Sequence, residues 1–315
     1  MPPLTQSTVS VRPLRGMKNN AVIGMGMVLL AAMLWGTTGT AQTLAPAGLP
    51  AHWVGALRLL FAGLFFWVYV GLEPRSTPVR AQLAQLPWPW VVLAGLSMAA
   101  YNLTFFAGVK ASSVAVGTAI ALGSGPVWAG LLQIVATRRS PSGAWWVGTL
   151  LAVAGGSWMV LGSAQQLQIS STGIALCLVS GLSYAVYTLI SKRLVGDAPA
   201  SIVTLAIFSC AALMAAPAAL VVSGLPSTTL QGWWVVVYLG LVATGVSYLL
   251  FTHALRRISS STAVSMCLVE PLTAFCLAIV VIGEQPPAAA FAGLTLVMLG
   301  LALVVRAEMR AGARS

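Results

Sequence analysis

Two ionisable residues lie deep inside long apolar stretches of the sequence, where a charge is costly. Glu270 comes directly before Pro271 in the middle of one stretch, and Arg58 lies within another. A charged side chain at the centre of a membrane helix costs about 2.5–3.5 kcal/mol on insertion scales, so each residue needs a reason. Glu270 could carry a proton or pair with a cationic group of a bound solute, or it could be a protonated, hydrogen-bonded structural carboxyl. Arg58 could hold a carboxylate, although we favour a structural pair with Glu270 or Glu284, or a contact with a helix C-terminus.

Polar and aromatic side chains gather at similar depths in several of these stretches. Tyr184 and Tyr187 are three residues apart and share one face of a helix, and Thr244, Ser247 and Tyr248 do the same. For any single Ser or Thr, a contact between helices is the preferred interpretation. A set of tyrosines and tryptophans at one depth instead predicts a pocket with apolar walls and a few polar groups. The predicted solute-binding residues are Trp35, Thr38, Tyr101, Asn102, Ser124, Trp128, Ser183, Tyr184, Tyr187, Thr244, Ser247, Tyr248 and Glu270.

Prolines interrupt the apolar stretches at two corresponding positions. Because proline has no backbone N–H, Pro126 leaves the carbonyl of Leu122 without its helical partner, and Pro271 does the same to Cys267. Such carbonyls could accept hydrogen bonds from an ammonium group, and the kinks could serve as hinges. The alternative is a packing kink that a neighbouring serine or a water satisfies. Pro126 and Pro271 occupy matching positions in the two halves of the sequence, as the internal repeat described below shows, and this match favours hinges at both prolines.

The composition places these residues in a membrane rather than in a soluble domain. Of the 315 residues, 58% are hydrophobic and 7% are charged, against about 25% charged in an ordinary globular domain. The apolar residues form runs of about 20, the length of helix that crosses the hydrocarbon core of a bilayer. The sequence therefore predicts an all-α integral membrane protein with ten transmembrane helices. The ten segments are 21–45, 51–71, 88–109, 112–136, 143–163, 171–191, 201–223, 232–254, 260–282 and 288–306.

Lysine and arginine residues indicate the orientation of these segments, because cytoplasmic loops retain positive charge. With the N-terminus inside, all 16 bases except Lys110 and Arg58 fall on the inner side. An odd number of spans would move the later pairs to the outer side. We therefore expect both termini in the cytoplasm. Because the bases occur in short pairs that can face anionic lipid, the net charge of +11 does not indicate a nucleic-acid partner.

An internal repeat becomes visible when the chain is compared with itself at an offset of 145 residues. The matches include Gly36 with Gly181, Trp88 with Trp233, Pro126 with Pro271, Gly148 with Gly293 and Gly155 with Gly300. Each copy holds five spans, and because five is odd the second copy enters the membrane from the opposite side. The predicted organisation is a cytoplasmic N-terminal tail at 1–20, a first five-helix repeat at 21–163, a second, inverted five-helix repeat at 171–306 and a cytoplasmic tail at 307–315.

Several short motifs in this arrangement carry a family resemblance over about residues 20–306. They are Trp35-Gly36, the Ala-Leu-Arg-Leu-Leu-Phe-Ala around Arg58, a Ser-X-Ala-Val pattern that leads to Pro126 and again to Pro271, and Gly283-Glu284. With these motifs the chain resembles the drug/metabolite transporter superfamily of the EamA type and, more loosely, its amino-acid exporters. The resemblance implies a ten-helix inverted-repeat exporter with a central cavity. The first repeat lacks a Gly-Glu pair after its fourth span, so the two halves are not expected to be functionally equivalent.

The leading functional hypothesis is a secondary active transporter that exports amino acids, neutral or aromatic, or related small metabolites by alternating access across a bacterial inner membrane. The absence of a Walker motif excludes ATP as the direct energy source and leaves a substrate gradient or proton coupling. Export and substrate class rest on the resemblance. A multidrug or other metabolite transporter of the same fold would look much the same in sequence.

Two other classes of function compete with transport. An intramembrane enzyme would need paired carboxylates, a histidine cluster for a metal or a nucleophile with its base, and the sequence offers none of these. A passive channel would need a ring of repeated polar side chains, which is also missing. We expect no cofactor and no metal. The expected partners are a small-molecule substrate and the lipid bilayer, with the protein a monomer or a weak dimer.

Overall fold

The computed structural model describes residues 14–43, 49–111, 114–162, 170–283 and 285–311, so Glu284 lies outside the described residues. All regular secondary structure in these ranges is helical. The helices are α1 (Leu14–Thr43), α2 (Ala51–Leu72), α3 (Val79–Ala84), α4 (Trp88–Ala111), α5 (Val114–Thr137), α6 (Gly143–Gly162), α7 (Ser171–Asp197), α8 (Ala200–Ser223), α9 (Leu230–Gly240), α10 (Ser247–Ala254), α11 (Ser260–Met266), α12 (Val269–Leu277) and α13 (Ala288–Ala311). Two π-helical turns, at Leu241–Val246 and Ala278–Ile282, follow α9 and α12.

The prediction of an all-helical membrane protein is confirmed for the described part of the chain. Nine segments there are long and apolar enough to cross a membrane. The predicted span at 143–163 corresponds to α6, a helix of 20 residues that is not among those nine. Ten spans therefore stay a prediction.

The two prolines named as hinges lie in different surroundings. Helix α5 continues through Pro126 without a break. In the second repeat, the helix is interrupted one turn before Pro271, between α11 and α12. The carbonyl of Cys267, expected to be free, accepts the backbone N–H of Glu270 at 2.8 Å. The expectation of an available carbonyl at Cys267 was therefore wrong, because a tighter local turn takes the place of the bond that Pro271 cannot make.

The most extensive contact between helices joins α6 and α13, and it is made through glycine. A Cβ atom at Gly148 would lie 2.7 Å from the carbonyl oxygen of Gly300, and one at Gly155 would lie 2.6 Å from that of Gly293. The earlier residue of α6 faces the later residue of α13, so the two helices run antiparallel. Small residues let membrane helices approach at backbone distance, and here any side chain would separate them.

Four further helix pairs surround the interior. Helix α2 packs on α8, α4 packs on α7, and α1 packs on both α10 and α12. The indole N–H of Trp53 at the start of α2 donates to the carbonyl of Gly224 after α8, at 2.7 Å. Near the other end of α2, Phe66 contacts Phe208 with ring centroids 5.2 Å apart. These contacts make α2 and α8 antiparallel as well.

A charged clasp holds the turn between α10 and α11, at the end of the bundle that is predicted to face the cytoplasm. Lys192 donates to the carbonyls of Leu255 and Ile258 at the C-terminus of α10. Glu308 accepts the backbone N–H of Ser259 at 2.9 Å and the hydroxyl of Thr262 at 2.6 Å, at the N-terminus of α11. A cation at a helix C-terminus and an anion at a helix N-terminus both oppose the charge of the helix dipole.

We expect Glu308→Ala to loosen this clasp and lower the melting temperature of the detergent-purified protein by several degrees. The carboxylate accepts charge-assisted hydrogen bonds that alanine leaves unmade, at a cost of about 1–3 kcal/mol. Arg310→Ala, at an exposed position on the same helix, is the control and should leave the melting temperature unchanged. Equal melting temperatures for both variants would contradict a stabilising role for Glu308.

Candidate functional site

A cluster of aromatic rings fills the middle of the bundle where α1, α4, α7, α8 and α10 meet. We define the aromatic cluster by its seven members, which are Trp35, Tyr101, Tyr184, Tyr187, Phe208, Tyr248 and Phe251. The ring of Trp35 lies 4.9 Å from Tyr248 and 5.5 Å from Phe251, and Tyr101 lies 5.2 Å from Tyr184. The structure thus brings together five of the predicted solute-binding residues. The site role of these five stays a prediction.

Helical spacing and small neighbours explain how the rings meet. Tyr184 and Tyr187 lie three residues apart on α7, and their ring centroids are 6.1 Å apart. Gly36 follows Trp35 on α1, and a Cβ atom there would lie 2.7 Å from the carbonyl oxygen of Glu270. The absence of a side chain at Gly36 therefore lets α1 approach α12 closely enough to bring Trp35 and Glu270 into the same region.

The rings of the cluster pack closely against one another. Trp35 is 6% exposed, Tyr248 4% and Tyr187 fully buried. These three rings are therefore largely shielded by the surrounding protein.

Three buried donors at predicted positions have no hydrogen-bond partner among the described residues. They are the indole N–H groups of Trp35 and Trp128 and the hydroxyl of Thr38. A buried polar group without a partner costs about 1–3 kcal/mol, so such groups are uncommon unless they serve a ligand or a water. Trp35 carries one of these donors within the aromatic cluster. Trp128 makes no ring contact with the cluster in the ranges described above.

Several of the predicted hydroxyl and amide groups bond instead to the backbone of their own helix. Asn102 donates to the carbonyl of Met98 at 3.0 Å, Ser124 to that of Ala121 at 3.3 Å and Ser247 to that of Ala243 at 2.7 Å. These three groups satisfy themselves locally, which favours the interpretation of helix packing for each. Ser183 is half-buried on α7, one residue before Tyr184.

Arg58 and Glu270 both lie at this level of the bundle, but no ion pair joins them. The Nε–H group of Arg58 donates to the hydroxyl of Thr244 at 3.1 Å. No described carboxylate lies within 4 Å of the Arg58 guanidinium. The ion pair found among the described residues joins Arg75 and Glu73. The expected structural pair of Arg58 with Glu270 was therefore wrong, and Glu284 lies outside the described residues.

The carboxylate of Glu270 makes no hydrogen bond to the described residues and is half-buried rather than sealed. It interacts electrostatically with Arg58 and with Tyr101. Glu270 therefore adds an unpaired acceptor beside the aromatic cluster.

The π-helical turn at Leu241–Val246 positions Thr244 for its contact with Arg58. The Thr244 hydroxyl donates to the carbonyl of Leu239 at 2.7 Å, five residues earlier, in the wider register of that turn. Single π-helical turns inside α-helices frequently occur at functional sites. The corresponding span of the first repeat, α4, is a continuous α-helix.

Sequence reasoning missed Phe208 and Phe251 as members of the cluster. Phe251 is three residues after Tyr248 and corresponds to Phe106 at the repeat offset, so helical spacing could have identified it. Phe208 contacts Tyr248 with centroids 4.8 Å apart. Nothing in the spacing of α8 signals this contact, because it depends on how α8 crosses α10.

A small cavity lies beside Pro271, between α5, α6 and α12. Its volume of about 10 Å³ is room for about one water molecule, and its lining includes Leu122 and Ser157. Within the described ranges, no group of three or more His, Cys, Asp or Glu side chains is placed to hold a metal ion.

The sequence is similar to that of a known transporter family and of several of its members. The model of the EamA-like transporter family matches residues 22–161 and again residues 171–306. The chain is 38% identical over 283 residues to the uncharacterized transporter YwfM of Bacillus subtilis (strain 168), covering 90% of this chain and 93% of that protein. It is 29% identical to the threonine/homoserine exporter RhtA of Escherichia coli (strain K12), covering 82% of this chain and 83% of that protein.

A solved crystal structure shows the same fold. It superposes with a TM-score of 0.77 at 19% sequence identity, covering 93% of this chain and 98% of that chain. The two matches to the family model cover most of the sequence and confirm the resemblance drawn from its motifs. The chain is a multi-pass membrane protein that belongs to the EamA-like transporter family.

Proposed function

We propose that the protein is a secondary active transporter that exports neutral amino acids, or closely related metabolites, by alternating access across a bacterial inner membrane. The observation that carries this proposal is the aromatic cluster at the centre of the bundle, with unpartnered polar groups of Trp35 and Glu270 beside it. Apolar walls with a few unsatisfied polar groups are typical of a pocket for a small amphipathic solute.

The contacts between helices support ten spans arranged as two inverted five-helix repeats. At the repeat offset, the pair α4 and α7 corresponds to α1 and α10, and the pair α5 and α7 corresponds to α1 and α12. Two further large contacts, α6 with α13 and α2 with α8, join corresponding helices. These two pairs are antiparallel, as a two-fold axis in the membrane plane requires.

Glycine contacts follow the same relation. Gly36 lies against the carbonyl oxygen of Glu270, and its counterpart Gly181 lies against α5, where a Cβ atom would be 3.1 Å from the backbone nitrogen of Gly125. Gly125 is the repeat counterpart of Glu270. Two copies that pack alike can exchange conformations, which is the basis of alternating access in transporters built this way.

Amino acids are the favoured substrates because of the site chemistry and the relatives together. The RhtA relative is a threonine/homoserine exporter, and this chain covers most of its length. Arg58 and Glu270 offer one group of each charge beside the aromatic rings. The second candidate, a multidrug transporter, is favoured by the apolar rings alone and gives no role to these two charges.

Counterflow in proteoliposomes tests the function directly. Vesicles loaded with one unlabelled amino acid should take up the same labelled amino acid faster than empty vesicles, and uptake should saturate with concentration. A panel of neutral, aromatic and charged amino acids, with and without a pH gradient, would identify the substrate and the role of protons. Linear uptake that loading does not accelerate would indicate a channel and contradict the proposal.

Trp35 offers a test of the site itself. We expect Trp35→Phe to raise the KM for the transported amino acid roughly three- to tenfold, because the ring remains while one hydrogen bond to the solute is lost. Trp158→Phe is the matched control, since Trp158 is 56% exposed at the outside of the bundle and should retain the wild-type KM. A KM that is unchanged in both variants would remove Trp35 from the binding site.

Accessibility labelling tests the topology. Single cysteines placed near the two termini should both be protected from a membrane-impermeant reagent in intact cells, and one placed at Lys110 should react. Labelling of only one terminus would mean an odd number of spans. That result would contradict the inverted repeat, with its cytoplasmic termini, and the transport mechanism built on it.

A further inference from the structure

Two opposite charges lie in the interior of the bundle without forming an ion pair. Arg58 uses its Nε–H group for the hydroxyl of Thr244, and no described carboxylate lies within 4 Å of its guanidinium. The side-chain carboxylate of Glu270 makes no hydrogen bond to the described residues. Thr244, which bonds to Arg58, lies four residues before Tyr248 on the same span, and the backbone of Glu270 lies against Gly36, the residue after Trp35. The aromatic cluster therefore lies within reach of both charges.

The duplication of the chain does not account for either charge. At the repeat offset Arg58 corresponds to Val203, and Glu270 corresponds to Gly125. Both counterparts lie at buried positions, so the repeated scaffold packs without a charge at either place. Each charge costs about 2.5–3.5 kcal/mol at membrane depth. If the two charges were purely structural, the simplest arrangement would be an ion pair between Arg58 and Glu270. The structure does not contain that ion pair.

The π-helical turn explains how Arg58 is kept apart from Glu270. Thr244 is fixed by its bond to the carbonyl of Leu239, and it holds the Nε–H edge of the guanidinium. A guanidinium has five N–H donors in a planar fork, so its terminal pair remains suited to a carboxylate. The protein thus presents a cation whose terminal N–H groups make no bond to the described residues and an anion whose carboxylate makes none either.

We propose that Arg58 and Glu270 together recognise the zwitterionic head of a free α-amino acid, with Arg58 binding the carboxylate and Glu270 binding the ammonium group. The inference rests on the proposed function and narrows its substrate class. The carboxylate and the ammonium group of the substrate pair with Arg58 and Glu270, and these pairs replace the solvation of the two side chains. The side chain of the amino acid then lies against the aromatic cluster. An amine, a carboxylic acid, an amide or an N-acyl derivative satisfies one charge and leaves the other buried and unpaired.

The test begins with the wild-type protein, which needs no variant to fold. Labelled L-threonine counterflow is measured against unlabelled L-threonine, L-threonine amide, which lacks the carboxylate, and N-acetyl-L-threonine, which lacks the ammonium group. We expect L-threonine to compete at least about a hundredfold better than either derivative, because each derivative leaves a buried charge without its partner. Competition within about threefold by either derivative would overturn the proposal.

The variants then assign each charge to its group. Arg58→Gln should weaken the binding of L-threonine more than tenfold. It should largely abolish the preference for L-threonine over its amide and keep the preference for L-threonine over N-acetyl-L-threonine. Glu270→Gln should do the reverse. The control, Arg80→Gln, changes an exposed base outside the bundle and should keep both preferences. Equal loss of all three ligands in both variants would contradict the assignment.

Folding and function are separated by two further measurements. Melting temperatures of Arg58→Lys and Glu270→Asp, which keep the charges, identify any loss that comes from misfolding. A protein that shows saturable counterflow with another amino acid but not with L-threonine is tested with the amide and N-acetyl derivatives of that amino acid. Absence of counterflow with every amino acid would contradict the proposed function, whereas counterflow that ignores the head group would contradict the zwitterion site alone.

Discussion

Replacing Gly155 with alanine is expected to cause a large loss of stability, because the added methyl group has no room in the contact between α6 and α13. The new Cβ atom would lie 2.6 Å from the carbonyl oxygen of Gly293 and 2.7 Å from the backbone nitrogen of Val297. Because these are backbone atoms, they cannot rotate away as a flexible side chain could. The helices α6 and α13 must therefore separate along their most extensive contact, at a cost of at least about 1–3 kcal/mol.

The measurement is the melting temperature and the monodisperse fraction of the detergent-purified protein. Gly39→Ala is the control, because Gly39 is also helical and a Cβ atom there meets nothing within 4 Å. That variant should be as stable as the wild type or slightly more stable, since alanine favours a helix by about 0.5–1 kcal/mol over glycine. A melting temperature of Gly155→Ala equal to that of the Gly39→Ala control would show that α6 and α13 do not pack as described.

Glu270→Gln is expected to remove the pH dependence of transport. In the wild type, protonation of the carboxylate at low pH removes the partner of the substrate ammonium group, so the apparent affinity for the amino acid should fall as pH is lowered. Glutamine keeps the shape of the side chain and one acceptor oxygen but cannot take up a proton. The variant should therefore transport more slowly than the wild type at neutral pH, with a flat pH profile.

Counterflow at a series of equal inner and outer pH values gives this profile without a driving gradient. Glu73→Gln serves as the control, because Glu73 is paired with Arg75 at the end of α2 and should retain the wild-type pH profile. A pH profile that is the same in Glu270→Gln and in the wild type would remove Glu270 as the proton-sensitive group. It would leave its role with the ammonium group to be judged by the competition series.

The helical segments could be predicted from sequence because each one is an uninterrupted apolar run. The segment predicted at 51–71, for example, corresponds to the helix Ala51–Leu72, and the segment predicted at 201–223 corresponds to the helix Ala200–Ser223. In a bilayer the backbone must satisfy its own hydrogen bonds, so a long apolar run has little choice except a helix. The ends are marked by proline, glycine and charge, which are visible in the chain.

Interruptions within the helices could not be predicted in the same way. Pro126 and Pro271 remove the same hydrogen bond, yet α5 continues and its counterpart breaks at Cys267. The outcome depends on what neighbouring helices offer to the exposed backbone, and that information is not local. The π-helical turn at Thr244 belongs to the same class, since it is coupled to Arg58 from another helix.

The composition of the site was only partly accessible to sequence reasoning. Tyr184, Tyr187 and Tyr248 could be identified because helical spacing puts them on inward faces. The partner of Arg58 could not be identified, because a hydroxyl on a distant helix competes with the carboxylates for it. Asn102 and Ser124 looked equally suitable for a ligand, but a nearby backbone carbonyl satisfies each of them. Polarity alone therefore does not distinguish a ligand contact from a local hydrogen bond.

The clasp formed by Lys192 and Glu308 makes the two faces of the transporter unequal. At the repeat offset these residues correspond to Ala47 and Ser163, so the opposite face has no such pair of charges. A difference of about 1–3 kcal/mol between two conformations changes their ratio by roughly 5- to 150-fold. Under the proposed alternating access, a clasp at one end of the bundle would therefore favour one of the two arrangements of the empty protein over the other.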